Sequence, residues 1–291
     1  MTANAELRSG KGSSDENFPV ASLLIRPRHR PAILAYYEFV RVADDIADHA
    51  TLTPAEKITR LDRLEASLLG QNDKEPQGVA LRGVLRTHGL SPVHAQHVLK
   101  AFRQDVTKLR YANRDELIGY CQYSAMPVGR YVLDVHGESQ STWPVSDALC
   151  AALQIINHIQ DCGKDYRDLD RVYIPLDTLA ANGLTVDILD QPKGTPAFKR
   201  CLDGLLDGTS ALLVQSRPLA AMVGDTRLAM EIAAIQKLAE RLVGVLRKHD
   251  PLSEKVHLSK TGMLLTVASA AAGALSRKLW MRAAPAVAAA N

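Results

Sequence analysis

The chain has 291 residues, of which 46% are hydrophobic and 23% charged; that length allows one large or two ordinary domains, and that composition excludes whole-chain disorder. Lys and Arg number 35 against 32 Asp and Glu, a net charge of +3, which lacks the concentrated basic face of a nucleic-acid-binding protein. Four cysteines, none in a CxxC pair, exclude a zinc ribbon and a disulfide framework and point to a reducing cytoplasm.

In chain order, residues 1–14 are polar, read as a disordered arm, and lack the apolar stretch of a signal peptide. The apolar ASLLI then meets Arg26-Pro27-Arg28-His29-Arg30. This junction suits either a peripheral contact with anionic lipid at the inner membrane or a solvated loop. Pro31 opens a helix towards residue 50, and Thr53-Pro54-Ala55-Glu56 is a capping box. Ser91-Pro92 opens the next helix, and Asn113 precedes another that runs to Gly137 with a kink near Pro127. Trp143-Pro144 or Ser146 opens a long apolar run that continues through Asp165. Later helices fit roughly 195–215, 225–249 and 257–283, and residues 284–291 read as a frayed tail. The charge-free segment between Lys260 and Arg277 is shorter than the roughly 20 residues a membrane-spanning helix needs, so it reads as a buried core helix. No convincing strand alternation or βαβ pattern occurs. The expectation is a single all-α domain over 15–283, a bundle of about 9–12 helices by this periodicity.

Two acidic stripes stand out. Tyr37, Arg41, Asp44 and Asp48 fall at i, i+4, i+7 and i+11, one continuous helical face. Gln154, Asn157, Asp161 and Asp165 fall at i, i+3, i+7 and i+11 after the apolar ALCAALQII. Either stripe alone also suits a solvated helix end. Facing each other across a cavity, two such stripes repel unless cations intervene, and their oxygen-only donors suit Mg²⁺ with substrate phosphates as further ligands. Arg41, Lys164 and Arg171 add positive charge for a diphosphate. A di-iron bundle needs two Glu-x-x-His motifs; Glu254-x-x-His257 has no second copy. Asp105 reads by default as a salt-bridged surface acid. Tyr120, Tyr123 and Tyr131 flank Pro127, and their ring faces suit either a carbocation or ordinary half-burial.

VRVADDIAD (40–48), YCQYSAMPVGR (120–130) and LQIINHIQDCGKDYRDLDRVYIP (153–175) together resemble the squalene/phytoene synthase family of head-to-head prenyl-diphosphate synthases. With ENFPVAS (16–22), they are most similar to the hopanoid branch that takes presqualene diphosphate to hydroxysqualene with water. The resemblance implies an isoprenoid-synthase bundle around a central cavity, two or three Mg²⁺ and no nicotinamide. It implies metal ligation by Asp44, Asp48, Asn157, Asp161 and Asp165, with Asp45 as an extra ligand. It further implies substrate contacts from Phe18, Tyr37, Arg41, Lys164, Arg171 and Tyr173, and reaction-centre roles for Tyr123, Gln154 and Asn157. Channelling from a presqualene diphosphate synthase goes with that branch. Where condensing members carry basic residues, this chain has Gln160 and the Asp15-Glu16-Asn17-Phe18 segment. The lost charge disfavours holding two diphosphates at once. Condensation of prenyl diphosphates within the family, and a non-catalytic role in a hopanoid-pathway complex, are the alternatives.

Overall fold

Pro31 in the first turn and apolar residues every three or four positions make α1 (Arg30–Ala47) an amphipathic helix that buries Ile33, Tyr36, Phe39, Val42 and Ile46. The computed structural model describes residues 25–288, with the side chains of Lys260, Arg277 and 279–288 outside the description; residues 1–24, including Phe18 and the 1–14 arm, also lie outside it. The expected capping box opens α2 (Pro54–Leu68): Thr53 accepts from Glu56 N–H, and the Glu56 carboxylate accepts from Thr53 N–H. There follow α3 (Pro76–His88), α4 (Val93–Thr107), α5 (Arg114–Ser124) and α6 (Met126–Val135). Next come α7 (Trp143–Gln160), α8 (Cys162–Leu169), α9 (Leu176–Ala181), α10 (Pro196–Ser216), α11 (Leu219–Met222), α12 (Thr226–Leu246) and α13 (Lys260–Ala288). Among the described residues there is no strand, only an isolated parallel bridge between Arg110 and Val172.

Two apolar cores organise these helices. One joins α1 to α4 and takes in Tyr131 and Val135 of α6. The other joins α5, α7, α10 and α12. Tyr36 of α1 stacks on Tyr131 of α6, ring centroids 4.0 Å apart, and their hydroxyls donate to the carbonyls of His94 and Ala32. Between α1, α6, α7 and α12 lies a cavity of about 300 Å³.

Several expectations change. The helix expected over 114–137 is two helices, broken at Ala125 (φ −120°, ψ −45°). Pro127 explains the break, because it has no N–H and its ring clashes with the carbonyl four residues back. The run expected from Trp143 or Ser146 to Asp165 also divides, at Asp161 (φ −102°, ψ 7°). The bend lets α8 approach the short 3-10 turn at Val186–Asp190; a Cβ on Gly163 would come within 3.2 Å of the Leu189 carbonyl oxygen. The helix count is 13 among the described residues rather than 9–12, because α3, α9 and α11 escaped notice. Segment 261–276 is helical but not a core helix. It lies against α12 on one side and leaves Leu264 and Leu265 71% and 69% exposed. Its helix continues to Ala288, past the expected end at 283.

Candidate active site

The cavity wall and the acidic clusters are continuous on the same helices. On α1 the lining residues Ile33, Tyr37 and Val40 lead one turn later to Asp44 and then Asp48. On α7 Ser146, Leu149, Leu153 and Asn157 lead to Asp161 and then Asp165. One face of each helix therefore grades from apolar to acidic, because residues three or four apart stand above one another. Val132 and Leu133 of α6 and Leu228, Ile232 and Ile235 of α12 complete the apolar walls.

At the acidic end the two clusters feel each other. Burial, with repulsion from Asp48, pushes the Asp44 carboxyl up to about 7, against the pull of Arg41. Burial, with repulsion from Asp161 and Asp48, pushes Asp165 up to about 7 as well. Arg41 donates to Asp44 (2.8 Å) and Asp45 (3.0 Å). Asp45 is buried and Asp44 about a third exposed, so Asp45 lies on the packed side of α1. Arg171 donates to Asp48 Oδ1 (2.5 Å) and to the Ala47 carbonyl (3.2 Å). It reaches them because Asp170, in the left-handed region at φ 52°, ends α8 and turns the chain back. Burial alone would lower the Arg171 pKa, but Asp48, Tyr173 and Asp105 hold it above the ordinary value. Lys164 is exposed beside Asp168 at 3.6 Å, and its charge pulls against the rise at Asp165.

The structure brings Tyr37 and Asn157 to the cavity wall and does not bring Tyr123, Gln154 or Tyr173 there. Tyr123 turns towards α4, with His97 edge-on and the Lys100 ammonium 3.8 Å from its ring centroid. Gln154 pairs its amide nitrogen with His158 Nε2 at 3.1 Å. Tyr173 stacks on His158 (3.5 Å) and donates to Asp105 (3.3 Å). Gln160 is buried and donates to the Val256 carbonyl at 2.5 Å.

Asp105 is the clearest correction. It is 3% exposed, accepts from Tyr120 (2.8 Å) and Tyr173, and sits near Arg171 and Asp48. Burial pushes its carboxyl up to about 7. Lys57 of α2 was not anticipated either: it donates to the Ala47 carbonyl at 2.8 Å, next to Asp48 and Arg171. Burial and Arg171 lower its pKa. Nothing in its sequence surroundings, an ordinary polar position after a capping box, marks it.

Among the described residues no three Asp, Glu, His or Cys side chains converge on a ready-made metal centre. The donors are oxygens, two of which, the Asp44 and Asp165 carboxyls, resist ionisation, and the set is too spread to cage an ion. That fits Mg²⁺, which takes one or two carboxylates and completes its shell with waters and substrate phosphates.

Residues 12–262 match the squalene/phytoene synthase family. The chain belongs to that family. It is 55% identical over 282 residues to a hydroxysqualene synthase of Rhodopseudomonas palustris, covering 97% of this chain and 95% of that protein. To the hydroxysqualene synthase of Sinorhizobium fredii it is 50% identical, covering 97% of each. Among solved structures, squalene synthase HpnC from Alicyclobacillus acidocaldarius is 30% identical with a TM-score of 0.72, covering 84% of this chain and 92% of that one. A dehydrosqualene synthase superposes with a TM-score of 0.80 over 94% of this chain and 96% of that one at 19% identity, a likeness of fold alone. The fold is therefore the all-α bundle of the squalene/phytoene synthase family, with the cavity at its centre.

Proposed function

We propose that the chain ionises presqualene diphosphate and captures the rearranged cation with water, giving hydroxysqualene and diphosphate without a nicotinamide. The observation that carries this reading is the graded face: on both α1 and α7 the residues that line the apolar cavity lead, a turn further on, to an acidic cluster. The likeness to proteins named hydroxysqualene synthase, at 49–55% identity over at least 93% of the chain, supports this reaction over condensation.

Asp44, Asp48, Asp161, Asp165 and Asn157 would hold two or three Mg²⁺ together with the substrate diphosphate. Asp45 serves them indirectly by holding Arg41. Bound Mg²⁺ supplies electrostatic stabilisation of the leaving diphosphate. Arg41 and Arg171, with Lys164 at the rim, bind the diphosphate oxygens and take up charge as the C–O bond breaks. Tyr37 and the walls of α1, α6, α7 and α12 enclose the prenyl chains and exclude bulk water. Phe18 contacts the substrate from the N-terminal segment. Tyr173 supports Arg171 from behind, and Gln154 and Tyr123 act through the packing of α7 and α5. Asn157 stands where a water would meet the cation. The family's substrates are prenyl diphosphates, so a peripheral contact at Arg26–Arg30 and delivery from a presqualene diphosphate synthase belong to the same proposal.

The test is incubation of the purified chain with presqualene diphosphate and Mg²⁺, followed by identification of the lipid. Hydroxysqualene is expected. Asp44→Ala and Asp161→Ala should each lower turnover by at least a hundredfold with unchanged helical circular dichroism. Efficient formation of presqualene diphosphate from farnesyl diphosphate, or a requirement for NADPH, would overturn the reading.

A further inference from the structure

The last carbonyls of a helix have no intrahelical donor, and the helix dipole favours cations beside them. At the end of α1 two cations share one of these oxygens. Arg171 donates to the Ala47 carbonyl at 3.2 Å, and Lys57, reaching from the start of α2, donates to the same oxygen at 2.8 Å. Either would satisfy that carbonyl, and two cations on one acceptor repel. Few charges are set against them: Asp48 acts on both, and Asp105 acts on Arg171. Both cations also hold donors beyond those in use. Arg171 is 7% exposed, and its Nε–H is buried without a partner. The half-buried Lys57 ammonium has further N–H groups besides the one on Ala47. A lysine that only tied α2 to α1 would need neither the shared oxygen nor a guanidinium beside it.

From this convergence we infer that Lys57 binds the diphosphate together with Arg171, as a further substrate-binding residue. The inference rests on the function proposed above, which gives Asp48 to Mg²⁺. A carboxylate whose charge is turned to a metal no longer balances the two cations at the end of α1. The diphosphate that arrives with the metal carries the charge to replace it, and its oxygens accept from Arg171 and from the Lys57 ammonium. Until then the Ala47 carbonyl holds that ammonium in place, on a flexible stem that lets it turn to a ligand oxygen.

The experiment measures calorimetric binding of inorganic diphosphate at saturating Mg²⁺, and thermal melting without ligand, for wild type, Lys57→Met, Lys57→Gln and Lys57→Arg. Lys57→Gln keeps an N–H donor and drops the charge; Lys57→Arg keeps both. The Kd should rise about tenfold or more in Lys57→Met and Lys57→Gln, as loss of a charge-assisted hydrogen bond does, and stay within about threefold of wild type in Lys57→Arg. KM for presqualene diphosphate should follow the Kd. A residue that only ties α2 to α1 would lower the melting temperature of Lys57→Met and leave the Kd fixed, which overturns the inference. An unchanged Kd in Lys57→Gln overturns it even if Lys57→Met fails to fold, and so does a loss of affinity as large in Lys57→Arg as in Lys57→Gln. Wild type that binds no diphosphate with Mg²⁺ overturns both this inference and the function it rests on; wild type that binds it and makes the alcohol, alongside variants of unchanged Kd, overturns this inference alone.

Discussion

Asp105 shows how burial, rather than a motif, tunes a residue in this bundle. Its carboxyl is raised to about 7 by burial, as are those of Asp44 and Asp165. Unfolded carboxyls titrate near 4, so between about pH 4 and 7 the folded chain holds more protons than the unfolded one and these groups lose stability as pH rises. His29 and His158 act oppositely: burial lowers them to about 4 and about 3, and they favour the folded state increasingly as pH rises to 6.5. Above 6.5 only the carboxyls still change. The metal-free protein should therefore lose thermal stability from pH 6.5 to 8, and Asp105→Asn should flatten that decline; melting curves across the range check it. Asp44, Asp48, Asp161 and Asp165 were legible in the sequence because their spacing is helical. Asp105 was not, since its partners lie 15 and 68 residues away.

Helices declare themselves through caps and periodicity, and their breaks and contacts are harder to read. The capping box of α2 and the Asn113 cap of α5, which accepts from Glu116 N–H, were legible because both are local. α3 was missed because its buried positions are few, Gly78, Leu81 and Leu85. Gly78 is its contact with α2: an added Cβ would lie 2.9 Å from the Leu64 carbonyl oxygen and 2.9 Å from Ser67 Cβ. Gly78→Ala should destabilise the chain by about 1–2 kcal/mol, overpacking outweighing the helix propensity gained; chemical denaturation measures it. The turn after α8 carries a larger load. Arg171 is buried and ties that turn to the end of α1 through Asp48 and Ala47. Arg171→Ala should abolish turnover. It should also cost about 1–3 kcal/mol, because it removes a charge-assisted hydrogen bond to the part-exposed Asp48 and a compensating charge near the buried Asp105. Equal stability of variant and wild type in urea would contradict this.

At the scale of the molecule, the all-α class followed from helical periodicity nearly everywhere, whereas the cavity depends on which faces meet, and that is set by contacts between distant helices. The Arg26–Arg30 stretch illustrates the limit. In sequence it suits lipid or solvent. In the fold Arg26 pairs with Asp225 at 2.8 Å, His29 is buried against His136, and Arg30 donates to the Ile25 carbonyl. Arg28 and Arg227 still border a notch on that surface with Arg26. No helix among the described residues is long and apolar enough to cross a membrane. Flotation with anionic vesicles should show binding that weakens with salt, and Arg26→Ala/Arg28→Ala should reduce it at least threefold. Absence of salt-sensitive binding would remove the membrane from the proposal.

The one-sided seat of α13 has a kinetic consequence. It packs chiefly on α12, with a smaller contact on the short α11, and Leu264 and Leu265 lie largely in solvent. Its described buried residues, Thr266, Ala271 and Ala274, are small and bury little apolar area each, so its backbone amides should exchange with solvent by partial detachment, below the cost of unfolding α7. Because Ile232 of α12 lines both the central cavity and the groove beneath α13, each such excursion loosens one wall of the chamber without dismantling the rest.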